Sequence, residues 1–224
     1  RIWLVLAVFA LTLSFLLAGA GFAAARPPQL PAAGGTLWMT NEVNNAVTVY
    51  DGARGSLIVT IPVGTKPVGL AALPEFDKVY VANEVSGSVS VISTESLSVV
   101  ATISLVTSTF PNPKPHDIWM SADGSRVYVS EFGHNMVAVI DTATDSLVTR
   151  FTVGSSTATT HGVWLPADGS VLYATNFGDN TLAALDPSSG ALLWSFATDA
   201  RPTHLVTTED GEIGFLSIGG TGVV

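Results

Sequence analysis

The chain has 224 residues, of which 47% are hydrophobic and only 12% are charged, and its formal net charge is −9. This acidic balance argues against a nucleic-acid partner, and the absence of cysteine excludes disulfides, thiolate chemistry and cysteine-attached haem. The length and the hydrophobic content are sufficient for a sizeable buried core.

Residues 1–25 differ in composition from everything that follows them. Ile2 to Ala25 carry no charge, and the run ends in three alanines, which is typical of a signal-peptide cleavage site. The alternative is an uncleaved membrane anchor, because these 24 residues are long enough to span a bilayer. Either interpretation predicts that the rest of the chain is periplasmic, secreted or at the cell surface, with the membrane as a partner only if the segment stays uncleaved. Residues 26–35 are rich in proline, alanine and glycine and are predicted to be a linker.

From residue 36 onward the chain is a repeat of short β-strands. Polar turns separate the strands of one unit, which are predicted at Val79–Ala82, Val89–Ile92, Val99–Leu105 and Asp117–Met120. Equivalent aromatic residues recur at steps of 42, 48, 45 and 42 residues, at Trp38, Tyr80, Tyr128, Tyr173 and Phe215. A period of about 40 to 50 residues with four strands per period is typical of a β-propeller blade. The predicted fold class is therefore all-β, a β-propeller of four-stranded antiparallel blades.

Four complete repeats and the start of a fifth are predicted. They span residues 36–77, 78–125, 126–170 and 171–212, with a partial unit at 213–224. A propeller closes on itself to remove its sheet edges, usually with about four to eight blades. Four units and a fragment do not obviously close, so we expect the chain to be a piece of a longer propeller.

Three of the repeats share a motif around the aromatic position. The segments are Leu37-Trp38-Met39-Thr40-Asn41, Val79-Tyr80-Val81-Ala82-Asn83 and Leu172-Tyr173-Ala174-Thr175-Asn176. They resemble the Tyr-Val-Thr-Asn (YVTN) β-propeller repeat, from which the third repeat departs with Ser130-Glu131. The resemblance covers residues 36–224 and implies a seven-bladed, secreted or surface-exposed protein. Related propellers include surface-layer proteins, quinone- or haem-linked dehydrogenase subunits, lactonases and the copper domain of nitrous oxide reductase, so the resemblance leaves the function open.

Two histidines occupy equivalent positions near the predicted channel of the propeller. His116 and His161 each lie seven residues before the Asp of an Ala-Asp-Gly turn, whereas His204 lies six before its Asp. Without a bulge, that shift turns the His204 side chain to the opposite face of its strand. One hypothesis is a copper or zinc site at the channel mouth, with His116 and His161 as ligands and a carboxylate from Glu84 or Glu131. The alternative is that both histidines pack at the strand ends and bond the backbone of the next blade.

Several polar residues are predicted to lie in turns on that same face, together with the connections between blades. Acidic side chains in these turns predict a calcium site if they converge and solvated turns if they do not. His134 is predicted to be exposed in such a turn. The predicted ligand face comprises Glu42, His134, Asp179 and His204, beside Glu84 and Glu131.

Trp119 and Trp164 share one inner-strand position, and we interpret the pair as core between blades rather than as a ligand platform. The Pro-rich connection of residues 106–115 either covers the channel, meets a partner or is a tolerated insertion. The first functional hypothesis is a secreted or periplasmic scaffold that binds a protein, a polysaccharide or a small ligand, more a binding module than an enzyme. The alternatives are a metal- or cofactor-dependent oxidoreductase or lactonase-type domain with further ligands in missing blades, and a structural cell-surface module. The chain contains no Gly-x-Ser-x-Gly segment, so a hydrolase with a serine nucleophile has no support.

Overall fold

The computed structural model describes residues 35–73, 76–157, 159–208 and 211–219. The predicted signal peptide or anchor lies outside these residues, as does all of the predicted linker except Gly35. All 17 elements in the described ranges are β-strands, which confirms the prediction of an all-β fold. None of the described segments is a helix that could cross a membrane.

The strands form five antiparallel sheets, each a simple meander. In chain order the strands are β1 (Thr36–Asn41), β2 (Ala46–Asp51), β3 (Leu57–Pro62), β4 (Pro67–Ala72), β5 (Lys78–Asn83), β6 (Ser88–Ser93), β7 (Ser98–Ser104), β8 (Pro115–Met120), β9 (Arg126–Glu131), β10 (Met136–Asp141), β11 (Ser146–Thr152), β12 (Thr160–Trp164), β13 (Leu172–Asn176), β14 (Thr181–Leu185), β15 (Leu192–Ala197), β16 (Arg201–Thr207) and β17 (Gly214–Gly219). The sheets are β1–β3, β4–β7, β8–β11, β12–β15 and β16–β17.

Successive sheets pack side by side like the blades of a propeller. Of their first strands, β4 contacts β8, β8 contacts β12 and β12 contacts β16, so these inner strands line the axis. Each sequence repeat joins three strands of one sheet to the inner strand of the next, so repeat and sheet boundaries are offset by one strand. The four-stranded antiparallel blades that were predicted are present.

Two of the recurring aromatic residues, Tyr80 and Tyr128, join their blades to the next one. Tyr80 and Tyr128 lie in the cores between adjacent sheets. The Tyr80 hydroxyl donates to Asp145 Oδ1 at 2.6 Å, and the Tyr128 hydroxyl donates to the carbonyl of Pro187 at 3.0 Å. Both acceptors lie in the turn between the third and fourth strands of the following sheet. At these two positions of the aromatic repeat, the phenol hydroxyl therefore bonds one blade to the next.

Every inner strand is irregular near its start. The pairing register shifts between Pro67 and Leu70, between Pro115 and Ile118, between Thr160 and Gly162, and between Pro202 and Leu205. Such bulges re-aim side chains and are frequent beside functional sites. These four bulges lie at one end of the channel and position the residues described next.

Candidate functional site

Three histidines meet at the bulged ends of the inner strands. The ring centroids of His116 and His161 are 4.2 Å apart, and those of His161 and His204 are 5.0 Å apart. We call these three residues the histidine cluster. Phe132 packs beside the His116 ring at 5.5 Å, and Phe177 stacks on the His161 ring at 5.7 Å. Three consecutive sheets thus contribute one imidazole each to a single site.

His204 joins the cluster from a different strand position than the other two. In two blades a side-chain hydroxyl donates a hydrogen bond to the inner strand of the next blade. The Ser130 hydroxyl donates to the His161 carbonyl at 2.7 Å, and the Thr175 hydroxyl donates to the Thr203 carbonyl at 2.6 Å. Thr203 is therefore the equivalent of His161, and His204 follows it as Asp117 follows His116. The sequence predicted that the His204 side chain lies on the opposite strand face from His116 and His161 unless a bulge intervenes. The β16 strand does have a bulge at this point.

Asp117 is a site residue that the sequence analysis missed. Its carboxylate accepts the backbone N–H of Val163 in the next blade at 3.1 Å and that of Ile118 at 3.0 Å. Burial raises the pKa of Asp117, while the Val163 N–H and the charge of His204 act in the opposite direction. Gly162 holds the corresponding position in the blade between Asp117 and His204, and it carries no side chain. Recognising that Gly69, Asp117, Gly162 and His204 are equivalent would have found this residue.

His116 and His161, which are both half-buried, are held in their neutral form. Burial lowers the pKa of His116, and burial together with the charges of His116 and His204 lowers the pKa of His161 to about 4. The Nδ1 atoms of both side chains are buried and have no hydrogen-bond partner among the described residues. At neutral pH these rings can accept a proton or a hydrogen bond.

The carboxylates predicted to assist the histidines are both engaged in ion pairs. Glu131 is fully buried, and its Oε1 accepts from Arg150 Nε at 2.8 Å. Glu84 Oε2 lies 2.8 Å from Lys66 Nζ, although its charge still raises the pKa of His116. Across the described ranges, no group of three or more His, Cys, Asp or Glu residues is placed to hold a metal ion. The copper or zinc site stays a prediction.

The other residues of the predicted ligand face are separate from the cluster. Glu42 is exposed, and Asp179 accepts at 3.1 Å from the backbone N–H of Ser155 in the connection between β11 and β12. His134 is half-buried, because Phe110 of the Pro-rich connection packs against its ring at 5.3 Å. The expectation that His134 is exposed is therefore wrong. A calcium site on this face stays a prediction.

Comparison with known protein families identifies the family of this chain. The family model described as "Lactonase, 7-bladed beta-propeller" matches residues 70–205, which is more than half of the chain. The chain belongs to this family. The matched range of this lactonase-family propeller contains the whole histidine cluster and Asp117. The YVTN resemblance itself stays a prediction.

A solved structure has the same fold as this lactonase-family chain. It is the hydrazine synthase of Kuenenia stuttgartiensis, with a TM-score of 0.72 and 23% sequence identity, and the match covers 89% of this chain and 58% of that one. At this identity the likeness shows the fold alone. The chain spans little more than half the length of that neighbour, so the activity of the whole protein is a proposal. No curated protein matches the sequence.

Proposed function

We propose that this lactonase-family chain binds small cyclic esters at the histidine cluster and promotes their hydrolysis there. The observation that supports this most directly is the convergence of three imidazoles with the half-buried Asp117 at one channel end. The family match supports the reaction class, and the unpartnered Nδ1 atoms of His116 and His161 support a role in binding.

Hydrolysis of a lactone needs one group to take a proton and another to return it. Water adds to the ester carbonyl, the ring C–O bond breaks, and the departing alkoxide takes a proton to give a hydroxycarboxylate. A catalytic base must be unprotonated at the working pH and within hydrogen-bond reach of the water. We assign this role to His161, because it contacts both other histidines and its pKa of about 4 keeps it neutral in ordinary conditions. Asp117, with its raised pKa, is assigned the return of the proton.

Two cations near the site suit the negative charge that develops on the substrate. The guanidinium of Arg201 lies 5.1 Å from the Phe177 ring centroid, and the charge of Lys66 is felt by His116. Positive groups placed where charge develops lower the barrier of acyl transfer. They also favour binding of the carboxylate product.

Binding without turnover is the second candidate function. Phe132 and Phe177 pack against the imidazoles and offer ring surfaces to a ligand, and the sequence lacks a serine-nucleophile motif. In this reading the chain is a scaffold that displays the cluster to a small ligand, a polysaccharide or a protein. This function differs from the first candidate only in that the bound ligand is not hydrolysed.

One assay separates these two candidates. Ring opening of γ-butyrolactone, δ-valerolactone and glucono-δ-lactone is followed by pH-stat titration with the full chain and with His161→Gln and Asp117→Asn. We expect each variant to lower kcat/KM by about 100-fold or more, as loss of a general acid or base does. His134→Gln, a half-buried histidine outside the cluster, serves as the control and should keep full activity. Calorimetric binding of a lactone with no turnover in any protein would instead support the scaffold.

We also propose that the mature protein is secreted or periplasmic, as residues 1–25 suggest. Intact-mass measurement after expression in a bacterial host with a Sec pathway tests this. A mature chain that begins at about residue 26 supports export, and a full-length chain in the membrane fraction supports a surface anchor.

A further inference from the structure

A cavity lies at the end of the inner strands that is away from the histidine cluster. It has a volume of about 420 Å³ and is lined by residues of β4, β8, β12 and β16 and of the segments that follow them. Small-molecule sites usually have volumes of about 300–1,000 Å³ and mostly apolar walls. The cavity therefore has the size of a ligand site, and the proposed hydrolysis makes no use of it.

The two inner-strand tryptophans form one wall of this cavity. Trp119 pairs with Tyr128 and Trp164 pairs with Tyr173, and Ala71 holds the corresponding place opposite Tyr80. The two indole rings are 4.1 Å apart at an interplanar angle of 41°. Because alanine replaces tryptophan in the preceding blade, space remains next to the Trp119 ring. Trp119 packs against the core between two blades, as predicted, and both tryptophans also line the cavity.

The polar atoms of the wall are already engaged by the protein. Trp119 Nε1 donates to the Leu165 carbonyl at 2.9 Å, and Trp164 Nε1 donates to Thr207 Oγ1 at 3.2 Å. Apart from Thr207 and Thr208, the lining residues are apolar, and none of the described lining residues is charged. A charged or sugar-like ligand would lose its hydration here without gaining new partners. An uncharged apolar ligand gains from the contact with aromatic and aliphatic surface.

We propose that this cavity binds an uncharged apolar small molecule at the end of the channel opposite the histidine cluster. The ligand class is a compound with an aromatic ring or a short alkyl chain and no formal charge. The site is independent of lactone hydrolysis, since none of its lining residues belongs to the cluster. It gives the protein two ligand sites on the same set of inner strands.

A matched pair of fluorescent probes tests the chemistry of the site. N-phenyl-1-naphthylamine is uncharged, and 8-anilinonaphthalene-1-sulfonate adds a sulfonate to the same skeleton. Titrated into the full chain, the uncharged probe should saturate at one molecule per chain and bind at least tenfold more tightly than the sulfonate. Equal affinity of the two probes, or no saturable binding of the uncharged one, would overturn the proposal.

Variants locate the probe on the molecule. Ala72 lines the cavity and is exposed, so Ala72→Phe fills space without overpacking a core, and it should weaken binding at least tenfold. Trp194 and Phe196 form a rival apolar patch on β15, with 44% and 49% of each residue exposed. Trp194→Ala should therefore leave binding unchanged, as should His204→Ala. Loss of binding in Trp194→Ala with normal binding in Ala72→Phe would place the probe on the outer patch and refute the cavity site.

A further double variant is informative even if Ala72→Phe does not fold. Trp119→Phe/Trp164→Phe keeps an aromatic wall but removes the two indoles nearest the cavity. Binding should persist, while energy transfer from tryptophan to the bound naphthylamine falls by at least half. Unchanged energy transfer would show that the probe lies elsewhere.

Discussion

The Tyr80 hydroxyl donates to the carboxylate of Asp145 across the boundary between two blades, at 2.6 Å. Lys78 donates to the same carboxylate at 2.9 Å, so a phenol and an ammonium of one blade share an acid of the next. Burial, together with this bond, raises the pKa of Tyr80 well above its usual range. The contact holds the sheet of β4–β7 against the sheet of β8–β11, which carries His116.

Removing this hydroxyl should weaken the packing of the blades. Tyr80→Phe deletes one bond and leaves Asp145 paired with Lys78, so we expect the free energy of unfolding to fall by about 1–2 kcal/mol. Urea unfolding of the full chain measures the change. Tyr50→Phe is the matched control, because no hydrogen bond of the Tyr50 hydroxyl to the described residues is present, and it should stay within about 0.5 kcal/mol of the wild type. A loss in Tyr50→Phe as large as that in Tyr80→Phe would contradict the assignment.

The buried ion pair between Arg150 and Glu131 should be far more sensitive than a surface pair. Arg150→Met leaves the Glu131 carboxylate fully buried without its cation, and we expect a loss of about 3–5 kcal/mol. Arg126→Met breaks a more exposed pair with Asp141 and should cost no more than about 1 kcal/mol. Denaturant unfolding of both variants decides the point. Adding Glu131→Gln to Arg150→Met should recover part of the loss, and equal effects of the two arginine variants would refute the prediction.

Stability should depend on pH through the histidine cluster. The pKa of His161 falls from 6.5 to about 4 on folding, so the unfolded chain binds more protons between these values. Its contribution to stability is complete above about pH 6.5 and is lost as the pH falls toward about 4. His116 acts in the same direction and Asp117 in the opposite one, because burial raises the pKa of the carboxyl.

Thermal unfolding of wild type and His161→Gln at pH 7, 6 and 5 isolates this contribution, because the effect of Asp117 is common to both proteins. As the pH falls, the melting temperature of the wild type should decrease more than that of the variant. Parallel curves would show that His161 is not held neutral by the fold.

Lactone hydrolysis should survive removal of metals. Glu84 and Glu131 are each in an ion pair, and the proposed proton acceptor is an imidazole, so treatment with a chelator should leave kcat/KM unchanged. Elemental mass spectrometry of the untreated chain and of His116→Ala/His161→Ala accompanies the assay. Activity that is lost to the chelator and restored by copper or zinc would establish the metal site predicted from the sequence instead.

The β-propeller fold could be predicted from the sequence because the same pattern of strands and turns recurs in every repeat. The site could be read only in part. His116 and His161 were predicted from their equal spacing before the Ala-Asp-Gly turns. Asp117 and His204 share another spacing, six residues before their Asp, but only the bulges of β8 and β16 bring them to the same site. Glu131 was predicted as a metal ligand because its ion-pair partner could not be recognised from the sequence. Arg150 lies two strands away in the same sheet, and only the pairing of β9, β10 and β11 brings the two side chains together.

The construction of the histidine cluster also limits how this protein can change during evolution. Each of its three imidazoles comes from a different sheet, so inserting a blade between them would separate the imidazoles, and deleting one of the three blades would remove one of them. Repeat proteins often gain and lose units, but here such changes are tolerable only outside the three sheets that carry the cluster. Substitutions in the outer strands, by contrast, leave the imidazoles in place, so the rim of the propeller is free to diverge while its channel stays the same.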